Sequence, residues 1–99
     1  MPEITIRYEE ISQSKGRYIA HVEGFEAEGE ITFSRAGSTR IIVDHTGVPD
    51  VLGGKGVAKA LAAHIVAEAR AQGLKIVPLC PFVKAQAQKH PEWQDVVEL

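Results

Sequence analysis

Between Gly53 and Gly56 the spacing of the apolar residues changes, and this change limits what the chain can fold into. Upstream of it, apolar positions recur every second residue. Ile4-Thr5-Ile6-Arg7-Tyr8 alternates, and Arg17 to Val22 follows between Gly16 and Gly24. From Phe25 to Phe33, the residues Phe25, Ala27, Gly29, Ile31 and Phe33 fall on one side, with Glu26, Glu28, Glu30 and Thr32 on the other. Period-two alternation marks half-buried strands, and the acidic side reads as a solvated sheet face. Ala36-Gly37-Ser38 is a turn. Residues 39–46 hold Ile41-Ile42-Val43, a run suited to a more central strand. Downstream, GVAKALAAHIVAEARAQ repeats Val57, Leu61 and Ile65 at a spacing of four among alanines, which predicts a helix that Gly73 stops. Leu74-Lys75-Ile76-Val77 reads as a fifth strand ended by Pro78. A shorter helix starts at Pro81 and stops at His90, before Pro91. The expected fold is α/β (α+β): a mostly antiparallel sheet of about five strands with two helices, 54–72 and 81–90. Val96, Val97 and Leu99 are expected to pack back on it. Residues 1–99 are expected to form a single domain.

Charge and composition narrow the partners. Eleven basic and 13 acidic residues give a net charge of -2, well mixed along 99 residues. No basic stripe offers itself to a phosphodiester backbone, so no nucleic acid is expected. No apolar run approaches the ~20 residues of a membrane span. The start, Met1-Pro2-Glu3-Ile4, lacks the charged and apolar regions of a secretory signal. Cys80 is the single cysteine and forms no internal disulfide. These features point to a reducing cytoplasm. Four histidines and one cysteine at these spacings make no zinc pattern, and no metal is expected.

The start of the long helix carries the first functional signal. No Ser, Thr, Asp or Asn stands between Val51 and Val57, where a side-chain cap would sit. The first N–H groups then lack a local partner. Glycine permits positive φ and close approach of another molecule. Open amides at a positive dipole end, beside Lys55 and Lys59, suit an anion such as a phosphate or pyrophosphate. A Walker A loop is excluded, because Gly56 follows Lys55 where Ser or Thr is needed. A dinucleotide fingerprint is excluded by Lys59 at its third glycine position. The other reading is a tight turn that packs helix on sheet.

The order of motifs resembles the GNAT N-acetyltransferase superfamily, whose pyrophosphate loop reads Arg/Gln-x-x-Gly-x-Gly/Ala. The matching stretch is Gly53-Gly54-Lys55-Gly56-Val57-Ala58, with Gly53 where Arg or Gln is usual. His45-Thr46-Gly47-Val48-Pro49 precedes it, and Pro78-Leu79-Cys80-Pro81-Phe82-Val83 and His90-Pro91-Glu92-Trp93 follow. The likeness is to the small single-domain branch and spans most of the chain from Phe25 onward. It implies two neighbouring strands splayed around the pantetheine arm of acetyl-CoA. Thr46, Gly47 and Val48 would then offer backbone groups to that arm. The amides of Gly54, Lys55, Gly56, Val57 and Ala58 would hold the pyrophosphate.

Two side chains offer reactive chemistry. Cys80 lies at the predicted helix start beside Pro81, and a helix N-terminus favours the thiolate. A thiolate attacks thioesters, so Cys80 is a candidate acetyl relay; the alternative is a buried cysteine acting as a small hydrophobe. In direct transfer the acceptor amine must first lose a proton. For a lysine-like amine at pH 7 this costs about 4.6 kcal/mol, and a base of near-neutral pKa lowers that barrier. His45, at the end of the central strand, is the candidate base, and a histidine bonding backbone is its alternative. Asp44 would face away from it in a regular strand. Many GNAT enzymes protonate the leaving thiolate with a tyrosine; the last helix here holds Phe82, Gln86 and Gln88 instead.

The expected function is acetyl-CoA-dependent N-acetyl transfer to an amine on a small molecule or protein. The alternatives are a non-catalytic acetyl-CoA or CoA-binding module, and a structural protein whose glycine turn is only a turn. His64 with Glu68 reads as a surface pair, His21 as structural, His90 as a helix-end cation and Trp93 as packing.

Overall fold

The computed structural model describes residues 3–99; Met1 and Pro2, part of the N-terminal reading, lie outside the described residues. Five strands form one sheet in chain order: β1 (Ile4–Ser12), β2 (Lys15–Val22), β3 (Glu28–Ala36), β4 (Arg40–Gly47) and β5 (Lys75–Pro78). Adjacent pairs from β1 to β4 are antiparallel, whereas β5 joins β4 in parallel. A parallel neighbour needs a crossover, and α1 (Val57–Gln72) supplies it. A short 3-10 turn, Asp50–Leu52, leads into the glycine loop, and α2 (Pro81–Lys89) follows β5. Val97 then forms a single parallel bridge to Ile76 on the outer side of β5.

The register decides which face is the core. Gly16 pairs with Phe33, Tyr18 with Ile31 and Ala20 with Gly29. These residues share one face, where they meet Ile41, Val43, six buried residues of α1, and Val83 and Ala87 of α2 in one apolar cluster. Both helices therefore cover the same side. On the other side the glutamates of β3 are paired, not merely solvated. Arg17 reaches Glu30 at 2.7 Å and Glu9 at 2.6 Å, and Arg7 reaches Glu28 at 2.8 Å. Exposed pairs of this kind contribute about 0–1 kcal/mol each. Ile19, paired with Arg7 on one side and Glu30 on the other, is 3% exposed yet lies outside the main core.

Several boundaries differ from the sequence reading, each for a local reason. α1 begins at Val57 and not at residue 54, because Gly54 and Gly56 both have φ of +76°, outside the right-handed helix. α2 ends at Lys89, one residue early, because Pro91 disfavours helical dihedrals at His90. β3 begins at Glu28; Gly24 at φ +88° turns the chain, and Phe25 and Ala27 pack against the core from the connecting segment. Leu99 stays exposed, whereas Val96 and Val97 are buried.

Gly29 sets how closely α1 approaches the sheet. A Cβ at this position would lie 2.8 Å from Val57 Cγ1. Gly29→Ala is expected to lower unfolding free energy by about 1–3 kcal/mol, measured by urea denaturation. Because the clash is with one side chain, Gly29→Ala and Val57→Ala together should cost less than the sum of the two singles.

Tyr18 adds a pH dependence. Burial, and then the nearby charge of Glu68, push its phenol up to about 12. Ionisation of the unfolded chain starts near pH ~10. The contribution of Tyr18 is therefore complete below that value and is lost as pH rises towards about 12. Stability measured from pH 8 to 11.5 should fall on its alkaline side less steeply in Tyr18→Phe.

Candidate active site

The β4–β5 ladder is short. Arg40 pairs with Lys75, Ile41 with Ile76, Ile42 with Val77 and Val43 with Pro78, and there it stops. Beyond that point the N–H groups of both Leu79 and Cys80 donate to the carbonyl of Val43, at 3.1 and 3.0 Å. β4 continues to Gly47 paired only with β3. A gap opens between the end of β4 and the residues that start α2.

A bulge shapes the β4 side of this gap. Thr32 pairs with His45 and Phe33 with Val43, so Asp44 is the extra residue. A bulge bends the strand and re-aims its side chains. Asp44 therefore does not face away from His45, as regular alternation would require. Its Oδ2 accepts hydrogen bonds from Ser34 Oγ at 2.8 Å and Lys15 Nζ at 3.2 Å on the helix-free face. His45 also lies on that face, opposite Thr32, and is exposed. Its Nε2 is 2.9 Å from where a Cβ of Gly47 would stand, so the ring folds over Gly47. Gly47 also edges a hollow of about 480 Å³ with Val48, Pro49, Arg17, Ile19, Glu28 and Glu30.

Thr46 points the other way, paired with Ile31 of the core face. Its Oγ1 lies 3.4 Å from Cys80 Sγ. Cys80 is 4% exposed and occupies the N-cap of α2, with Pro81 at the first helical position and no side-chain cap. The two reactive candidates thus sit on opposite faces of β4. Gln86 of α2 is the buried polar residue among the described ones, and α2 contains no tyrosine.

The glycine loop closes the site. Gly56 is the N-cap of α1, at φ 76° and ψ 17°, and no side chain caps the helix. Among the described residues, no backbone or side-chain group accepts from the N–H groups of residues 54–59. The chain there lines a cavity of about 650 Å³, with Val48, Leu52, Val57 and Phe82 as its apolar side and the glycines and Lys59 as its polar one. Lys55 Nζ lies 4.9 Å above the ring of Phe25, a cation–π contact that ties the loop to the segment before β3. The donor set fits a diphosphate carrying an apolar arm: a row of free amides at a helix start beside lysines, next to an apolar wall.

A family model described as GCN5-related N-acetyl-transferase matches residues 17–96. The chain belongs to this family. Solved structures similar to this chain include three that show its relations. A GCN5-like protein from Staphylococcus aureus is 35% identical with a TM-score of 0.68, covering 97% of this chain and 87% of that one. The aminoglycoside N-acetyltransferase AAC(6')-Iy in complex with CoA is 13% identical, with a TM-score of 0.61 over 94% of this chain and 88% of that one. Nourseothricin acetyltransferase is 15% identical, with a TM-score of 0.59 over 89% of this chain and 69% of that one. The last two share the fold. A search of curated proteins gives no significant match.

Within this GCN5-related fold, Val48 and residues 54–58 share one cavity, and Thr46 meets Cys80. His45 joins neither group. Leu52 and Phe82 also line the cavity; their apolar spacing marked them only as packing residues. Of the remaining histidines, His90 stacks on Trp93 at 4.3 Å and pairs with Glu92 at 2.9 Å. Among the described residues no helix is long and apolar enough to cross a membrane, and no three His, Cys, Asp or Glu side chains gather as a metal would need. The left-handed N-cap is itself testable. Gly56→Ala should destabilise the chain by about 1–2 kcal/mol, read from urea denaturation.

Proposed function

We propose that residues 1–99 act as one acetyl-CoA-binding unit that transfers the acetyl group to an amine. The observation that carries this reading is the row of unpartnered N–H groups at residues 54–59, open to a cavity of about 650 Å³ with an apolar wall. A pyrophosphate there would accept the hydrogen bonds that α1 does not supply to itself. The pantetheine arm would then run along Thr46, Gly47 and Val48, where β4 has no partner on its β5 side. Membership of an acetyltransferase family and a structural neighbour solved with CoA support the same ligand.

Two routes of transfer fit the residues. In one, the thiolate of Cys80 attacks the thioester carbonyl, a new C–S bond forms, and the bond to CoA sulfur breaks. CoA leaves as a thiolate and takes a proton from water; the neutral acceptor amine then attacks the acetyl-cysteine carbonyl, a C–N bond forms, the C–S bond to Cys80 breaks to return its thiolate, and the extra proton on nitrogen passes to water. In the other, the amine attacks the thioester carbonyl of acetyl-CoA directly and His45 accepts its proton; the C–S bond breaks and CoA leaves as a thiolate that takes a proton from water. His45 lies on the helix-free face, so the second route brings the acceptor from that side. The acceptor is an amine of a small molecule or a protein. A second reading, a binding module without useful turnover, is favoured by the absence of a tyrosine acid in α2, where Gln86 is the buried polar group.

Incubation with acetyl-CoA, followed by melting temperature and intact mass, separates these readings. Saturating acetyl-CoA at about 100 times Kd should add about 2.7 kcal/mol of stability. No upward shift would refute cofactor binding. A single acetyl adduct that disappears in Cys80→Ala supports the relay. With no adduct, a loss of amine acetylation of about 100-fold or more in His45→Ala supports direct transfer. A shift with neither adduct nor acetylated amine identifies the binding module.

A further inference from the structure

A second cavity, of about 540 Å³, lies on the helix-covered face away from the glycine loop. Its floor is Tyr18 and Phe33, and its walls are Tyr8, His64, Glu68 and Leu74. The aromatic rings form a continuous surface. Tyr8 and Tyr18 centroids are 5.5 Å apart, and Tyr18 and Phe33 stack at 5.8 Å. His64 meets the edge of Tyr18 at 4.9 Å. The cavity faces the outer half of α1, and Glu68 lies roughly 16 Å along the helix from Val57 at about 1.5 Å per residue. It is therefore separate from the acetyl-CoA cavity.

The polar groups on this surface are unequally satisfied. Tyr8 Oη donates to Glu10 at 2.6 Å and accepts from Arg35 at 2.7 Å, and Arg35 also donates to Glu10 at 3.0 Å. These three groups complete one another. The Tyr18 hydroxyl has no partner among the described residues, although Tyr18 is 7% exposed. No fully enclosed side-chain oxygen or nitrogen lacks a partner among those residues, so this oxygen opens into the cavity that Tyr18 lines. Among the described residues Glu68 has one ion-pair partner, His64 at 3.7 Å, which counts as charged only when protonated. With Glu10 and Arg35 offsetting one another, Glu68 leaves one negative charge for a ligand. An ammonium that reached this oxygen would find an acceptor that no protein group engages.

We propose that this groove is a second ligand site, for a protonated primary amine on a flat apolar body, with the ammonium donating to Glu68 and to the Tyr18 hydroxyl oxygen. The apolar body lies against the faces of Tyr8, Tyr18 and Phe33, which favour both aromatic stacking and a nearby cation. The volume suits a small molecule and not a folded partner.

The test uses the intact protein at pH 7, isotopically labelled, with 2-phenylethylamine as probe and 2-phenylethanol as its uncharged counterpart. Backbone shifts should saturate with 2-phenylethylamine and centre on residues 8, 18, 33, 64 and 68. Glu68→Gln should weaken binding by about tenfold or more, because a charge-assisted hydrogen bond is lost. Tyr18→Phe should weaken it by a smaller factor and still melt cooperatively. His64→Ala, which removes no proposed contact, should change affinity less than Glu68→Gln. Equal affinity for the alcohol, shifts confined to the glycine loop, or no saturable shift would each overturn the proposal. So would a concentration-dependent dimer that covers the same residues.

Discussion

The carbonyl of Val43 holds the fold's functional geometry. It accepts from two successive N–H groups, those of Leu79 and Cys80, as the chain leaves β5. Pro78 can donate nothing at the preceding step. The ladder therefore ends on one atom, and β4 and the chain towards α2 part from there. The bulge at Asp44 begins at the next residue of β4. Had pairing continued, the polar groups of residues 44–47 would face a strand. They border a gap instead, with Thr46 and Cys80 in contact across it.

The same geometry sorts the chemistry by face. Thr46 and Cys80 belong to the helix-covered side, while His45 and Asp44 belong to the open side. A thiol route and a base route therefore differ in more than the residue used. They would bring the acceptor to different sides of one strand. The open side is a charged lattice in which Arg17 holds a carboxylate from the neighbouring strand, and Arg7 and Lys15 each hold one from two strands away.

Much of this was legible in the sequence because it depends on local rules. The alternation of Gly29, Ile31 and Phe33 gave β3 its core face, and the glycines before Val57 marked an uncapped helix start. What depends on dihedral sign or on distant partners was not legible. Periodicity extends a helix back to residue 54, because it cannot register that Gly54 and Gly56 have positive φ. It extends β3 back to Phe25, because Ala27 continues the apolar pattern although the chain has not yet joined the sheet. The bulge at Asp44 and the contact between Thr46 and Cys80, 34 residues apart, arise from how β4 meets both of its neighbours. No local pattern encodes either. The unpartnered hydroxyl of Tyr18 is equally hidden, since a tyrosine in a strand gives no sign of whether its oxygen is used.

The missing cap on α1 has a consequence for the lifetime of the chain. A helix that satisfies its own first turn carries that stability wherever it goes. Here part of it would come from outside the polypeptide, from an anion held by the amides of residues 54–59. Each tenfold rise in such an anion above its dissociation constant adds about 1.4 kcal/mol to the folded state. Where cleavage is slow relative to refolding, degradation follows the population of the open form. The abundance of the protein would then track the concentration of its own ligand, with no separate sensor required.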